Sequence, residues 1–221
     1  MLNPDLFNFL DELKKNNNKE WFDSNRGRYK ELRQQFINFI TLLIHELTQL
    51  DPLLNGLEAS QTVFRINRDI RFSKDKSPYK TNMGAYIAPG GKKSFRPGYY
   101  LHVESGSSMI AGGMYMPPSK ELKMIRKEIL DNTDNFKQII NNADFKKTYG
   151  ELHGEKLKTA PQGFPKDHPD IGLMRYKSYT VFKDVSNEYL TGPDSLNDIM
   201  DDYRVLKPLN DFLTHALRAD Q

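Results

Sequence analysis

The chain contains no cysteine among its 221 residues. This absence excludes disulfides, thiolate nucleophiles, cysteine-ligated zinc and iron–sulfur clusters, so a metal could only be held by oxygen or imidazole ligands. The sequence also lacks an apolar run of the roughly 18 to 20 residues that would span a bilayer. The N-terminal segment has neither a basic leader nor an uninterrupted apolar stretch, and no signal peptide is predicted. We therefore expect a soluble, cytoplasmic protein without a membrane partner.

Standard enzyme signatures are missing as well. The sequence has no G-x-S-x-G elbow and no H-E-x-x-H helix, and the pair Gly112-Gly113 lacks the context of a nucleotide-binding loop. Two glycines inside a predicted strand instead indicate a bulge or the close approach of another group. The net charge of +3 is too small to indicate nucleic-acid binding by itself. The distribution of charge is therefore more informative than its total.

Hydrophobic periodicity predicts helices, then strands, then helices. Apolar residues recur every three or four positions in a short helix after Pro4 and in a long helix from about residue 25 to Leu50. Between Gln61 and Met116 the period changes to about two, which is typical of strands. The predicted strands are 62–73, 84–88, 98–104 and 108–116. Their short connections favour antiparallel pairing, and 179–183 is a candidate further strand.

The rest of the chain reads mostly as helix and loop. Helical patterns begin near Ser119 and Thr133, residues 150–175 look like a long loop, and 196–217 form a helix interrupted by Pro208. This order predicts an α+β fold, with an antiparallel sheet over about residues 62–116 packed by N-terminal and C-terminal helices. We expect residues 1–221 to form a single domain.

Positive charge is concentrated between residues 64 and 80. Six cations against two carboxylates give this stretch a net charge of +4. The cations are Arg65, Arg68, Arg71, Lys74, Lys76 and Lys80, and the carboxylates are Asp69 and Asp75. A local excess of this size requires a local explanation.

The predicted strand 62–73 would place Arg65, Asp69 and Arg71 in one row, where Asp69 could pair with either arginine. Arg68 would fall on the apolar side and would need a carboxylate partner or a route to the edge. Such a row is either an anion-binding site or a salt-bridge ladder on a solvated face. The candidate site contains Arg65, Arg71, Lys74, Lys76 and Lys80, with Tyr79 as either a ligand contact or a loop anchor.

A second group lies on the predicted strand 98–104. Tyr100, His102 and Glu104 alternate onto one face of that strand, opposite three apolar residues. An imidazole beside a carboxylate can supply two metal ligands, or a general base with the group that orients it. A metal site would need a third ligand, for which Asp69 and His168 are the candidates.

Four motifs resemble those of a bacterial family called domain of unknown function 2461. They are WF-x2-NR-x2-Y at 21–29, RDIRFSKDKSPYK at 68–80, GYYLH at 98–102 and LHGEKLKTAPQGF-x3-HP at 152–169. The resemblance covers nearly the whole chain in order and implies a single domain of ordinary length. It assigns no activity, so it transfers no catalytic or ligand-binding residue to this sequence. Gln162 departs from the pattern, where a basic residue is expected.

Three functions from different classes follow from these residues. The first is recognition of a phosphate-bearing ligand, small or polymeric and including nucleic acid, by the Arg/Lys cluster at 65–80. The second is a metal-assisted phosphoester hydrolase that uses Asp69, His102 and Glu104. The third is a protein-interaction scaffold. The sequence predicts no cofactor and leaves both enzymatic activity and oligomeric state open.

Overall fold

A computed structural model describes residues 1–71 and 73–218 of the chain. Its four strands form one antiparallel sheet in the order β1-β2-β3-β4. They are β1 Met83–Ile87, β2 Gly98–Val103, β3 Ser108–Met114 and β4 Tyr179–Val185. Helices flank the sheet, so the predicted α+β class is confirmed. The candidate strand at 179–183 is confirmed as part of β4.

The described residues contain ten α-helices. They are α1 Asp5–Lys15, α2 Lys19–Ser24, α3 Arg26–Leu50, α4 Ala59–Thr62, α5 Ser119–Asp131, α6 Thr133–Ile140, α7 Ala143–Tyr149, α8 Ile171–Met174, α9 Asn187–Thr191 and α10 Ser195–Ala216. Within the described ranges, no helix combines the length and apolar character needed to cross a membrane.

The two predicted N-terminal helices are confirmed in α1 and α3. Asn3 Oδ1 accepts a hydrogen bond from the Asp5 backbone N–H at 2.9 Å, and Asp5 gives the first turn of α1 its negative charge. The apolar stripe of α1 is buried, including Phe9 and Leu13. Helix α3 ends at Leu50 because Pro52 follows and disfavours helical backbone angles at Asp51.

The predicted strand at 62–73 is wrong. Thr62 ends α4, and the described residues after it form isolated antiparallel bridges, Val63 with Ala85 and Asn67 with Tyr79, instead of a continuous ladder. Beyond Arg68 the backbone turns, and the Ser73 N–H donates to the Ile70 carbonyl at 3.4 Å. The alternation of apolar residues in 62–73 therefore does not produce a strand. A strand also needs a neighbour with which all of its residues can pair. Phe72 lies outside the described residues.

The Gly112-Gly113 pair in β3 permits close approach, as its sequence indicated. A Cβ on Gly112 would lie 2.2 Å from Leu206 Cδ2, and one on Gly113 would lie 2.1 Å from the Tyr179 carbonyl oxygen. Gly113 also has φ +98°, a conformation that L side chains rarely adopt. The two glycines therefore have a packing role.

The predicted loop at 150–175 is partly paired with β4 and with the segment that leads into it. The His153 N–H donates to the Thr180 carbonyl at 2.7 Å, and the Lys177 N–H donates to the Glu155 carbonyl at 2.8 Å. Helix α8 lies within the same stretch. These bonds satisfy backbone groups that a long irregular segment would otherwise leave to water.

The chain divides into two compact units. The first contains Met1–Ser94, Tyr100–Ile110 and Asp184–Asp201, and its core includes Phe9, Phe36 and Leu43. The second contains Phe95–Tyr99, Ala111–Lys183 and the chain from Asp202 onward. Its core is aromatic: the Tyr99 and Tyr203 rings lie 5.0 Å apart, and the Phe136 and Phe212 rings 4.9 Å apart. A single domain over 1–221 stays a prediction.

Candidate functional site

The cations of residues 65–80 lie in the first unit, and two of the arginines are ion-paired within the segment. Asp69 accepts two hydrogen bonds from Arg71, at 2.9 Å from Nε and 2.6 Å from Nη2. These bonds lower the pKa of Asp69 to about 2. The predicted pairing of Asp69 is therefore confirmed with Arg71, although it is a local contact and not a strand row. Arg68 pairs with Asp75, so the arginine assigned to the apolar side has a carboxylate partner.

Two of the lysines lie on an exposed loop that leads to Tyr79. The ammonium group of Lys76 donates to the Ile70 carbonyl at 2.9 Å, and Lys74 is exposed. The carboxylate of Asp75 accepts hydrogen bonds from the Ser77 backbone N–H at 2.9 Å and from its hydroxyl at 2.6 Å. With Arg68, these bonds lower the pKa of Asp75 to about 2. The loop is therefore organised around its own carboxylate.

Arg65 and Lys80 differ from Arg68 and Arg71, each of which bonds a carboxylate. Lys80 is half-buried, and its ammonium nitrogen lies 5.3 Å from the centre of the Phe64 ring. Burial lowers the pKa of Lys80, and the positive charge of Arg65 lowers it further. No carboxylate of residues 1–71 and 73–218 lies within ion-pairing distance of either side chain. We call these two residues the Arg65–Lys80 pair.

Tyr79 anchors the loop. Its ring is buried and stacks on Phe22, with centroids 3.9 Å apart and planes inclined by 16°. The side-chain amide of Asn17 bonds the Tyr79 backbone twice, accepting from its N–H at 3.1 Å and donating to its carbonyl at 3.0 Å. These contacts fix the direction in which the chain continues into Lys80.

The predicted alternation along β2 is observed. Tyr99, Leu101 and Val103 are buried, whereas Tyr100, His102 and Glu104 are partly exposed. The three polar side chains form a hydrogen-bonded series that we call the Tyr100 relay. Tyr100 Oη lies 3.0 Å from His102 Nδ1, and His102 Nε2 lies 3.2 Å from Glu104 Oε2. Burial, together with the charge of Glu104, raises the pKa of Tyr100 to about 12.

Thr81 holds the carboxylate end of the Tyr100 relay. Its hydroxyl donates to Glu104 Oε1 at 2.8 Å, which leaves Oε2 facing His102. At the other end, Gly84 of β1 makes room for the phenol, because a Cβ there would lie 2.8 Å from Tyr100 Oη. Neither Thr81 nor Gly84 was identified from the sequence. Their roles depend on the pairing of β1 with β2, which local periodicity does not encode.

Phe64 brings the two groups together. Its ring lies under the ammonium of Lys80 and makes an edge contact with Tyr100, with ring centroids 6.4 Å apart. This contact was also not predicted from the sequence. Lys80 and Tyr100 therefore both contact one aromatic ring in the first unit.

The described residues offer no complete metal-ligand set. Within residues 1–71 and 73–218, no group of three or more histidine, aspartate or glutamate side chains could hold a metal ion. His102 and Glu104 are neighbours, but Asp69 is bonded to Arg71. His168 Nδ1 accepts a hydrogen bond from the Asp170 backbone N–H at 3.1 Å in the second unit. These candidates therefore do not form a ligand group.

Three comparisons relate the chain to known proteins. Neither the curated proteins nor the solved structures contain a match to it. One family model does match, and it spans residues 5–212. The match includes the Arg65–Lys80 pair, the Tyr100 relay and the four motifs that carry the resemblance described above. The chain thus belongs to the family described as conserved hypothetical protein (DUF2461).

Proposed function

We propose that the protein recognises a phosphate-bearing ligand through the Arg65–Lys80 pair. The observation that supports this proposal is the environment of Lys80: it is half-buried, the positive charge of Arg65 lowers its pKa, and no carboxylate of the described chain pairs with it. Burial and the neighbouring charge both disfavour its protonated form. A bound anion would relieve both effects, because it supplies the missing opposite charge.

The two side chains suit different parts of this task. Arg65 offers a planar fork that can donate two parallel hydrogen bonds to phosphate oxygens, and Lys80 supplies a compact positive charge. Arg71 is less available, since Asp69 occupies its guanidinium group. Together with Lys74 and Lys76 it contributes long-range attraction that salt would screen. The ligand site therefore centres on residues 65 and 80, and the other cations assist.

The ligand class is defined by phosphate, which mononucleotides, sugar phosphates and nucleic acids share. The cytoplasmic location predicted from the sequence belongs to the same proposal. No specific contact in the described chain favours the metal-assisted hydrolase or the protein-interaction scaffold.

Titration of purified protein with inorganic phosphate, nucleotides, sugar phosphates and short oligonucleotides tests the proposal. We expect Arg65→Lys and Lys80→Gln each to weaken binding by more than about tenfold, which corresponds to roughly 1.4 kcal/mol. Arg71→Lys is the matched control, because its fork already bonds Asp69, and it should change affinity by less than about twofold.

The salt dependence of binding separates small from polymeric ligands. An oligonucleotide that releases several counterions should lose affinity steeply as salt rises, whereas a mononucleotide should respond weakly. The proposal is refuted if no compound binds the wild type at millimolar concentration or below. It is also refuted if Arg65→Lys and Lys80→Gln both bind as the wild type does.

A further inference from the structure

The hydrogen-bond directions in the Tyr100 relay follow from its acceptors. A carboxylate can only accept, so His102 Nε2, 3.2 Å from Glu104 Oε2, must carry the hydrogen that joins them. In a neutral imidazole the other nitrogen is then an acceptor. While Glu104 is ionised and His102 is neutral, His102 Nδ1 therefore accepts the hydrogen of Tyr100 Oη across 3.0 Å. In that state the single proton of the Tyr100 hydroxyl points towards His102.

This order determines what Tyr100 can offer to a ligand. With its proton committed to His102, Tyr100 Oη presents lone pairs, which repel phosphate oxygens and attract a hydrogen-bond donor. The Arg65–Lys80 pair and the Tyr100 relay thus have complementary requirements. The Arg65–Lys80 pair needs an anion, and the Tyr100 relay needs a hydrogen-bond donor. A plain phosphate ion would satisfy only the first.

We propose that the ligand is a hydroxyl-bearing phosphate ester, of the sugar phosphate or ribonucleotide class. Its phosphate binds the Arg65–Lys80 pair, and one of its hydroxyl groups donates to Tyr100 Oη. This inference rests on the proposed function and specifies the second half of the same ligand.

The position of Phe64 supports a single ligand that reaches both groups. Its ring contacts the Lys80 ammonium at 5.3 Å and the Tyr100 ring at 6.4 Å, measured from ring centroids. An aromatic ring that contacts both the cation and the ring of the hydroxyl acceptor suits the carbon skeleton of a sugar, because sugar C–H groups are apolar. Phe64 is itself half-buried and not covered completely.

The Tyr100 relay is held in one arrangement by contacts at both ends. Thr81 donates to the second oxygen of Glu104 at 2.8 Å, which fixes the carboxylate that orients His102. Gly84 leaves the space in which the phenol lies. A hydroxyl acceptor with a fixed direction discriminates between ligands better than a mobile one, because less ordering is required on binding.

Matched ligand pairs test the inference. Calorimetric titration would compare glycerol 3-phosphate with propyl phosphate, and ribose 5-phosphate with cyclopentylmethyl phosphate, which carries no hydroxyl. For wild-type protein we expect the hydroxylated member of each pair to bind roughly tenfold more tightly, the contribution of one well-formed hydrogen bond. Tyr100→Phe should bring each ratio within about twofold.

The control is Tyr115→Phe, the same chemical change at a tyrosine that is 74% exposed. It should preserve the wild-type ratios. Equal binding of both members of each pair by wild-type protein would overturn the inference and leave the proposed function intact. Retention of the ratios in folded Tyr100→Phe would do the same. If neither member binds while inorganic phosphate also fails to bind, the proposed function falls together with the inference.

Discussion

The side chain of Asn17 bonds both backbone polar groups of Tyr79, 62 residues further along the chain. Tyr79 is buried, so water could not readily replace these bonds. The contact ties the end of the cationic segment to the connection between α1 and α2. Lys80, one half of the proposed anion site, directly follows this anchor.

We expect Asn17→Ala to lower the free energy of unfolding by about 2 kcal/mol or more, because it leaves two buried backbone groups without partners. Asn17→Asp still accepts from the Tyr79 N–H but can no longer donate to its carbonyl. Its free energy of unfolding should therefore lie between those of wild type and Asn17→Ala. Urea unfolding of the three proteins measures the series. An Asn17→Ala protein within about 0.5 kcal/mol of wild type would contradict this account of the anchor.

Gly84→Ala should disturb the Tyr100 relay more than it disturbs the fold. The added methyl would lie 2.8 Å from Tyr100 Oη and 3.2 Å from Cε2, so the ring must shift from the position in which it bonds His102. We expect a loss of about 1 to 3 kcal/mol in unfolding free energy and loss of the hydroxyl preference. Imidazole nitrogen NMR should show that the His102 Nδ1 hydrogen bond is broken.

Gly27→Ala is the control for that substitution. A Cβ at Gly27 meets nothing within 4 Å, and the residue lies in helix α3. Alanine should therefore stabilise the protein by roughly 0.5 to 1 kcal/mol and leave the ligand preference unchanged. Similar destabilisation by both substitutions would show that the effect at Gly84 is not specific to Tyr100.

Lys80→Met should stabilise the unliganded protein slightly, by less than about 1 kcal/mol, and weaken phosphate binding. Burial and Arg65 lower the pKa of Lys80, so folding disfavours its charged form. The resulting decrease in the free energy of unfolding is fully present at neutral pH. This destabilisation declines as pH rises through the lowered pKa of Lys80 towards the usual value of 10.5. The difference in unfolding free energy between Lys80→Met and wild type should therefore shrink in that pH range.

Thermal unfolding of wild type and Lys80→Met with and without phosphate measures both effects. The exposed Lys74 provides the control, and Lys74→Met should be nearly neutral for stability. A clearly destabilised Lys80→Met protein would mean that the contact between Lys80 and Phe64 is structural.

The Asp5–Arg28 pair should contribute to resistance against acid. Arg28 donates to Asp5 at 2.9 and 2.6 Å and to Glu12 at 2.8 Å. The hydrogen bonds from Arg28 are the main cause of the lowered pKa of Asp5. A carboxyl with a lowered pKa adds stability that is present above its usual value of 3.8 and lost as pH falls through the lowered value.

Asp5→Asn is therefore expected to cost up to about 1 kcal/mol at pH 7, since both side chains are partly exposed. The difference from wild type should vanish in strong acid, where Asp5 is protonated. Unfolding at several pH values would show this convergence. Asp134→Asn, in the first turn of α6, controls for charge at a helix terminus alone. A constant difference across the pH range would rule out the ion pair as its source.

Sequence alone determined much of the helical structure and one half of the candidate site. The apolar periods of α1 and α3 and the Pro52 stop signal located those helices. Strict alternation in β2 placed Tyr100, His102 and Glu104 on one face. These features depend on residues a few positions apart, and the local backbone geometry of helix and strand relates such residues directly.

Tertiary structure decided the other half. The alternation in 62–73 resembles a strand, yet its described residues form isolated bridges, because a ladder also needs a partner of matching length and register. Tyr79 became an anchor through Phe22 and Asn17, and Lys80 came to lie beside Phe64. Such contacts join residues that are distant in sequence. They depend on which surfaces remain unpaired after the helices and strands have packed. The local sequence pattern contains no information about those surfaces.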